Sequence, residues 1–294
     1  MTVRAPVGEV AINQFTEIVL GRGVCSISGN LFIYFLLLSL KNRNFWKRYS
    51  SGSTFLSINS NDIKNLLVYI PNDKEQKKIG LFLQKLDQLI ELQSQKVTHL
   101  KQLKRGFLQK LYPAKGVSVN LLRFHTFNDD LLNVSLKDIS YNQSSNIGVK
   151  DVKKNGKYPV YDVNKLIGFL NSYQSKDEYI SIIKDGSNVG KTFLRRGMTS
   201  VISTMEIIHP NGVDLNYLFY KLQNINFRLF KIGTGIPHIY FKDYSKLKLL
   251  IPHPKEQKKI GAFFQNLDQQ IDLQQSKLDH LKQLKKGYLQ NMFI

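Results

Sequence analysis

One segment of the chain occurs twice, and this repeat constrains the fold more than any other feature. Residues 70–112 return at 251–293 without a gap, with 27 identities in 43 positions. The offset of 181 residues also pairs Gly52 with Gly233, so the similarity extends into the segments that precede the two copies. A repeat of this length predicts two copies of one structural unit.

The start of the chain aligns with the middle of the second unit. With the offset increased by one residue, Val7-Gly8 falls on Val189-Gly190. We therefore expect the first domain to be truncated, without counterparts of about 60 residues, 121–182. The predicted organisation is a truncated first domain at 1–69, a first long helix at 70–112, a complete second domain at 113–250, and a second long helix at 251–294.

The repeated segments have the pattern of long amphipathic helices. Apolar residues recur every three or four positions from Ile79 to Leu111, while lysine and glutamine occupy the other faces. Helices at 75–111 and 256–292 would each be about 55 Å long at 1.5 Å per residue. A helix of that length with a wide apolar face needs a partner, and the other copy is the only equally long candidate.

An antiparallel pair would bring two interruptions of the apolar stripe together. Gln93 lies at the midpoint of the first helix and Gln274 at the midpoint of the second. Facing amides can hydrogen-bond and fix the register of a coiled coil. The alternative is that both glutamines face solvent.

Composition limits the class of protein and its partners. The 42 Lys and Arg against 22 Asp and Glu give a formal charge of +20, which favours a polyanionic partner. Hydrophobic residues make up 42% of the chain, enough for a packed core. The single cysteine excludes an internal disulfide framework and fits the cytoplasm. The longest apolar run, Leu31–Leu38, is far shorter than the roughly 20 residues of a membrane helix.

The segment between the long helices has a mixed pattern that predicts an α/β domain. Strands are expected at 179–186, 200–210 and 245–252, and a helix at 214–230. The apolar run Leu31–Leu40 takes the place of that last helix in the first copy and is interpreted as a buried helix.

This arrangement resembles the specificity subunits of type I restriction-modification systems. The likeness rests on domains that end in IKNLLVYIP and YSKLKLLIP, each followed by KEQKKIG and a long helix with LDQ and HLKQLK. It implies globular α/β target-recognition domains joined by two long antiparallel helices that form a coiled-coil spacer. It also implies double-stranded DNA as ligand, with each domain reading one half of a bipartite site.

The resemblance further implies that the chain itself is not an enzyme and binds no cofactor. Modification (methyltransferase) subunits would bring S-adenosylmethionine and methylate adenine, and a restriction or motor subunit would bring ATP and magnesium. The alternatives are a stand-alone basic DNA-binding or regulatory protein, a silent truncated allele, and an enzyme that uses the GSNVGKT segment described next.

The segment 185–196 (DGSNVGKTFLRR) is the first candidate DNA contact. Its GSNVGKT part resembles a phosphate-binding loop, but only three residues separate the glycines, where that loop needs four. Small polar residues and lysine in a turn suit phosphate contacts, and asparagine can read an adenine edge. The largest share of the net charge, +7, lies in residues 121–250. The predicted DNA-binding residues here are Lys184, Ser187, Asn188, Lys191, Thr192, Arg195 and Arg196, against the alternative of a solvated basic surface.

The segment 231–238 (KIGTGIPH) is the second candidate. Lys231, Thr234 and His238 would supply cationic and hydroxyl donors, although a plain helix cap explains the glycines equally well. Its counterpart in the first copy is 50–57. The histidines show no ligand spacing, so we predict no metal site.

Overall fold

The computed structural model describes residues 1–49, 57–112, 122–127, 129–163 and 165–293. The chain forms two compact units, which are called here the first unit (Met1–His99 with Asp272–Ile294) and the second unit (Leu100–Ile271). The helices are α1 Leu31–Asn42, α2 Ser60–Lys64, α3 Asp73–Leu111, α4 Leu136–Ile139, α5 Leu215–Gln223, α6 Phe241–Tyr244 and α7 Pro254–Asn291, with 3₁₀ turns at Phe45–Arg48, Val149–Asp151 and Phe227–Phe230. The strands are β1 Leu132–Ser135, β2 Ser140–Ser144, β3 Tyr158–Asp162, β4 Lys165–Leu170, β5 Tyr179–Ile183, β6 Thr192–Arg195, β7 Ser200–Val201, β8 Met205–Pro210 and β9 Lys248–Ile251.

Helices α3 and α7 pack against each other in antiparallel orientation, as the sequence predicts. In the first unit Lys285 Nζ lies 2.5 Å from Asp87 Oδ1. In the second unit the repeat-equivalent pair, Lys104 and Asp268, lies at 2.6 Å. Residue numbers fall on one helix as they rise on the other, which defines the antiparallel direction.

The second unit contains three small sheets. The central one has the strand order β2-β8-β5-β6, with all neighbours antiparallel. Strands β4, β3 and β7 form another, in which β3 and β7 run parallel. Strands β1 and β9 form an antiparallel pair. Because β5 is buried along its whole length, it forms the centre of the core, and α5 packs on this sheet. This mixture of helices and sheets confirms the predicted α/β class.

All four predicted elements differ in extent. Strand β5 ends at Ile183 instead of residue 186, and β9 begins at Lys248 instead of residue 245. The strand expected at 200–210 is divided, because the main chain turns after Val201 and Met205 N donates to Ile202 O at 2.9 Å. The helix expected at 214–230 ends at Gln223. The Asn226 side chain then accepts a hydrogen bond from Arg228 N at 3.2 Å and starts a separate 3₁₀ turn.

Each copy of the KEQKKIG motif attaches a long helix to a short one. Gln257 Nε2 donates to Pro252 O at 2.9 Å, while its Oε1 accepts from Asp214 N, at the start of α5, at 3.1 Å. In the first unit Gln76 Nε2 donates to Pro71 O at 2.8 Å, and its Oε1 accepts from Asn30 Nδ2, at the start of α1, at 2.9 Å. In both units the glutamine of the motif therefore joins the start of the long helix to the start of a short helix.

The repeat is also visible in backbone conformation. Gly8 and Gly190 have φ values of +87° and +88°, in the left-handed region that favours glycine. A Cβ atom would lie 2.4 Å from Trp46 Cδ1 at Gly8 and 2.3 Å from Phe227 Cβ at Gly190. Trp46 and Phe227 are themselves 181 residues apart, so a glycine packs against the equivalent aromatic ring in each unit.

Candidate nucleic-acid interface

The first candidate segment is the hairpin loop between β5 and β6. Gly190 N donates to Ile183 O at 2.8 Å and Lys191 N donates to Asn188 O at 3.2 Å, which closes a tight turn. Gly186 reaches a φ of +101° with open space around it. The side chains of Ser187, Asn188 and Lys191 are therefore held at the exposed tip of a rigid hairpin.

The second candidate segment lies directly beside this hairpin. Gly186 N donates to Pro237 O at 2.9 Å, and Ile239 N donates to Lys184 O at 2.9 Å. Residues 231–238 close on themselves through mutual hydrogen bonds between Ile232 and His238, at 2.8 and 2.9 Å. Two segments some fifty residues apart in sequence thus form one surface, which we call the loop surface (residues 184–191 and 231–238).

A carboxylate that sequence reasoning missed lies within the loop surface. Asp185 Oδ1 is 2.7 Å from His238 Nδ1, and both side chains are partly exposed. The contact orients the imidazole, and the negative charge opposes a phosphate at that point. The repeat gave no signal for it, because the equivalent positions in the first unit are Arg4 and Ser57, which form a main-chain bridge.

The predicted DNA-binding residues divide by accessibility. Lys184 and His238 are half-buried, while Thr192 and Arg195 are buried, each only 7% exposed. The other six are exposed: Ser187, Asn188, Lys191, Arg196, Lys231 and Thr234. The Thr192 hydroxyl has no hydrogen-bond partner within the described part of the chain.

Arg195 makes contacts inside the second unit. Its Nε donates to Ser181 Oγ at 2.9 Å, and its Nη2 donates to the main-chain carbonyl of Val163. The guanidinium lies 4.5 Å from the centre of the Tyr161 ring. Burial lowers the pKa of Arg195 from its ordinary value. These contacts connect the central sheet to strand β3, so the side chain has a structural role.

The GSNVGKT segment lies in a different context from a nucleotide loop. Such a loop leads from a strand into a helix, whose N-terminus binds the phosphates. Here Thr192 begins β6, which pairs antiparallel with β5. The segment is therefore a β-hairpin tip, and the geometry that would bind nucleotide phosphates is not formed.

Exposed apolar residues also belong to the loop surface and were not predicted. Ile232 and Ile236 are both more than half exposed. Branched apolar side chains of this kind can contact the methyl group of thymine in the major groove. In the sequence they stand beside Gly233 and Gly235 in a segment that has the pattern of an ordinary loop.

The glutamines at the midpoints of the long helices lie in contact in the first unit. Gln93 Nε2 donates to Gln274 Oε1 at 2.9 Å and to its main-chain O at 2.8 Å. Gln274 is buried, while Gln93 is half-buried. Among the described residues, none of the helices combines the length and apolarity that crossing a membrane requires.

Residues 1–102 and 128–283 match the family described as the type I restriction modification DNA specificity domain. The type I restriction enzyme MjaVIII specificity subunit of Methanocaldococcus jannaschii is 34% identical over 119 residues, which are 39% of this chain and 28% of the relative. The putative MjaX specificity subunit of the same organism is 24% identical over 286 residues, 87% of this chain and 65% of the relative. The chain thus spans less than two thirds of either relative.

Solved structures share the fold. A type I restriction-modification S subunit from M. genitalium superposes with a TM-score of 0.66 at 19% identity, covering 90% of this chain and 72% of that one. The HsdS subunit from Thermoanaerobacter tengcongensis gives 0.54 at 16% identity, covering 90% and 69%.

Proposed function

The chain belongs to the family of type I restriction-modification DNA specificity domains, and we propose that it is a noncatalytic subunit that recognises double-stranded DNA. The observation that carries the proposal is the loop surface of the second unit. Two segments with small polar, amide and cationic side chains meet there through main-chain hydrogen bonds, and their tips are exposed. A rigid, polar and cationic projection of this kind suits a DNA groove.

Different residues of the loop surface have different roles in this proposal. Lys191 and Lys231 contact phosphates. Arg196, which follows the other end of β6, is a separate phosphate contact outside the loop surface. Asn188 reads a base edge, because its amide offers a donor and an acceptor that match adenine. His238, oriented by Asp185 at 2.7 Å, is a second candidate for reading a base. Arg195 and Thr192 are buried within the second unit, so in this proposal they do not contact DNA directly.

Selection from randomised duplexes with the full chain tests these roles. We expect Asn188→Ala to change the selected bases, with a loss of about 1–3 kcal/mol at one position. Lys191→Ala should weaken binding to all sequences alike and reduce the slope of log affinity against log salt by about one. Lys96→Ala, which removes an exposed charge from α3, is the matched control. Equal effects of the Lys191 and Lys96 variants on the salt slope would contradict the proposed DNA face.

We also propose that the long helices dock modification subunits, and that these bring S-adenosylmethionine while a motor subunit brings ATP and magnesium. Support comes from leucines that remain exposed on the helices although the pair is formed, among them Leu89 and Leu92, which lie three residues apart on one face of α3. In the first unit these are Leu81, Leu89, Leu92, Leu273 and Leu284. With one cysteine and this DNA-directed role, we place the complex in the cytoplasm.

Copurification with a coexpressed modification subunit tests the docking. We expect a stable complex that Leu89→Glu with Leu92→Glu disrupts, while the DNA affinity of the free chain stays unchanged. A chain that remains separate from the modification subunit, yet binds DNA specifically, would favour the stand-alone DNA-binding protein.

A further inference from the structure

His238 lies in the middle of a short main-chain ladder within the loop surface. On one side it exchanges two main-chain hydrogen bonds with Ile232, at 2.8 and 2.9 Å. On the other side it forms an antiparallel bridge with Asp185. Main-chain hydrogen bonds of 2.9 Å flank this bridge before and after it. The backbone of His238 is therefore held from both sides.

The side chains of these three residues form one row. Residues that pair directly across an antiparallel ladder share a face, with Cβ atoms about 4.5–5.5 Å apart. Asp185, His238 and Ile232 follow each other in this order, and we call them the side-chain row. Their side chains are partly exposed at Asp185 and His238, and Ile232 is 53% exposed. A carboxylate, an imidazole and an apolar group thus stand side by side at the surface.

The carboxylate determines which ring nitrogen of His238 carries the proton. Asp185 Oδ1 lies 2.7 Å from His238 Nδ1. An ionised carboxylate only accepts hydrogen bonds, so Nδ1 is the donor. In a neutral imidazole the other nitrogen, Nε2, is then an acceptor. Within the described part of the chain no hydrogen bond involves Nε2, so its lone pair is available to a ligand.

An acceptor beside an apolar group matches one base pair in the major groove. Adenine and cytosine present amino donors there, whereas guanine presents carbonyl and ring-nitrogen acceptors. The thymine edge carries a methyl group that the other bases lack. An A·T pair therefore offers an amino donor and a methyl group on one edge, separated by the thymine O4. A C·G pair lacks the methyl group, and guanine places an acceptor against an acceptor.

We propose that His238 and Ile232 together read one A·T pair in the major groove. His238 Nε2 accepts from the adenine amino group, and Ile232 contacts the thymine methyl group. Asp185 is a positioning residue, because it acts on DNA only by keeping Nε2 an acceptor. This inference rests on the proposed DNA recognition by the loop surface and adds a base pair to the contact assigned to Asn188. It also explains a carboxylate among the lysines of that surface.

Selection from randomised duplexes at about pH 8.5, where histidine is ordinarily neutral, identifies the pair. We expect the full chain to select an A·T pair that His238→Ala no longer selects. In competition with a G·C pair at that position, the wild-type chain should prefer A·T about ten- to fiftyfold, from one hydrogen bond and one methyl contact. Uracil in place of thymine should weaken binding about fourfold, the value of one buried methyl group. Ile232→Ala should abolish that uracil effect.

Asp185→Asn separates the positioning role from a structural one. Asparagine keeps the shape, but its amide can donate to Nδ1 as well as accept from it, so Nε2 is no longer held as an acceptor. The preference for A·T over G·C should fall to about fourfold, the part due to the methyl group. Asp177→Asn removes an exposed charge before β5, at the end away from the hairpin, and should leave the preference unchanged. Melting temperatures confirm that each variant is folded.

Three results would overturn the proposal: selection of guanine where His238 contacts DNA, an A·T preference that Asp185→Asn leaves intact, or an equal uracil effect in the wild-type and Ile232→Ala chains. The uracil comparison with the unchanged chain holds even if a variant fails to fold. A chain that selects no sequence overturns the proposed DNA recognition as well. A chain that selects bases through Asn188 without these shifts overturns only the reading of the A·T pair.

Discussion

Replacing Gln93 by leucine measures what the polar contact between the long helices contributes. Gln93 donates two hydrogen bonds to Gln274, at 2.8 and 2.9 Å, and the Gln274 side chain is buried. Leucine at position 93 removes both bonds and leaves the buried Gln274 amide without this donor. The desolvation penalty of such a group is about 1–3 kcal/mol. Added apolar burial by leucine offsets part of it, so we expect a net loss of about 1–2 kcal/mol.

The double variant Gln93→Leu with Gln274→Leu should behave differently. Both amides are gone and the apolar stripe is continuous, so stability should return to the wild-type value or exceed it. The two substitutions are therefore strongly non-additive, with a coupling of about 1–3 kcal/mol. Unfolding in urea followed by helical circular dichroism gives each free energy of unfolding. Gln88→Leu, at an exposed position of α3, should change it by less than about 0.5 kcal/mol.

Two results would refute this reasoning. The first is a Gln93→Leu chain that is as stable as the wild type, because a buried amide without its donor cannot be neutral unless it reaches solvent. The second is a double variant whose loss equals the sum of the single losses, which would mean that the amides act separately.

Three further predictions follow from single residues of the second unit. Gly190→Ala should destabilise by several kcal/mol, because the positive φ opposes it and the new Cβ would lie 2.3 Å from Phe227 Cβ. Gly186→Ala, with a positive φ but open space around the new Cβ, should cost only about 1–2 kcal/mol, and thermal melting compares the two. Burial lowers the pKa of Lys221 to about 8, so the folded chain loses this proton between pH 8 and 10.5 while the unfolded chain keeps it. Lys221→Met should raise the free energy of unfolding by roughly 3 kcal/mol below pH 8, and urea titrations should show this gain shrinking as the pH rises through that window. Arg195→Ala should lower the melting temperature, whereas Arg196→Ala should weaken DNA binding at an unchanged melting temperature; the reverse assignment in paired melting and binding assays would show that Arg195 faces DNA.

The long helices were predictable because their pattern is local and repeated. Period, length and antiparallel direction all follow from the apolar stripe and its interruption at Gln93 and Gln274, and the observed helix bounds differ from the predicted ones by about two residues. The break in the 214–230 helix was not predictable from periodicity. Helix α5 ends with the C-cap residue Asn224, whose main-chain N–H donates to Lys221 O and Leu222 O, and the Asn226 side chain then starts a 3₁₀ turn by accepting from Arg228 N.

The candidate site was predictable as a set of segments but not as a surface. The small polar residues of 186–191 indicate an exposed turn, and the structure has one. The burial of Arg195 depends on Tyr161 and Val163, more than thirty residues away on another sheet. The pairing of Asp185 with His238 likewise joins two distant loops. Arg195 and Arg196 were predicted together because they are adjacent charges in the sequence. Neighbouring positions along an extended chain nevertheless point to opposite faces.

The KEQKKIG motif explains why the two copies remain nearly identical where the helices begin. In each unit the glutamine amide satisfies a proline carbonyl and the start of a short helix, at 2.8–3.1 Å. The glycine four residues later admits that helix closely, because a Cβ would lie 2.8 Å from Leu31 Cβ at Gly80 and 2.7 Å from Asp214 Oδ1 at Gly261. Neither residue type can be exchanged without losing a hydrogen bond or forcing the helices apart. The loop surface has no such constraint, so its side chains can differ between units while each domain keeps the same attachment to its long helix.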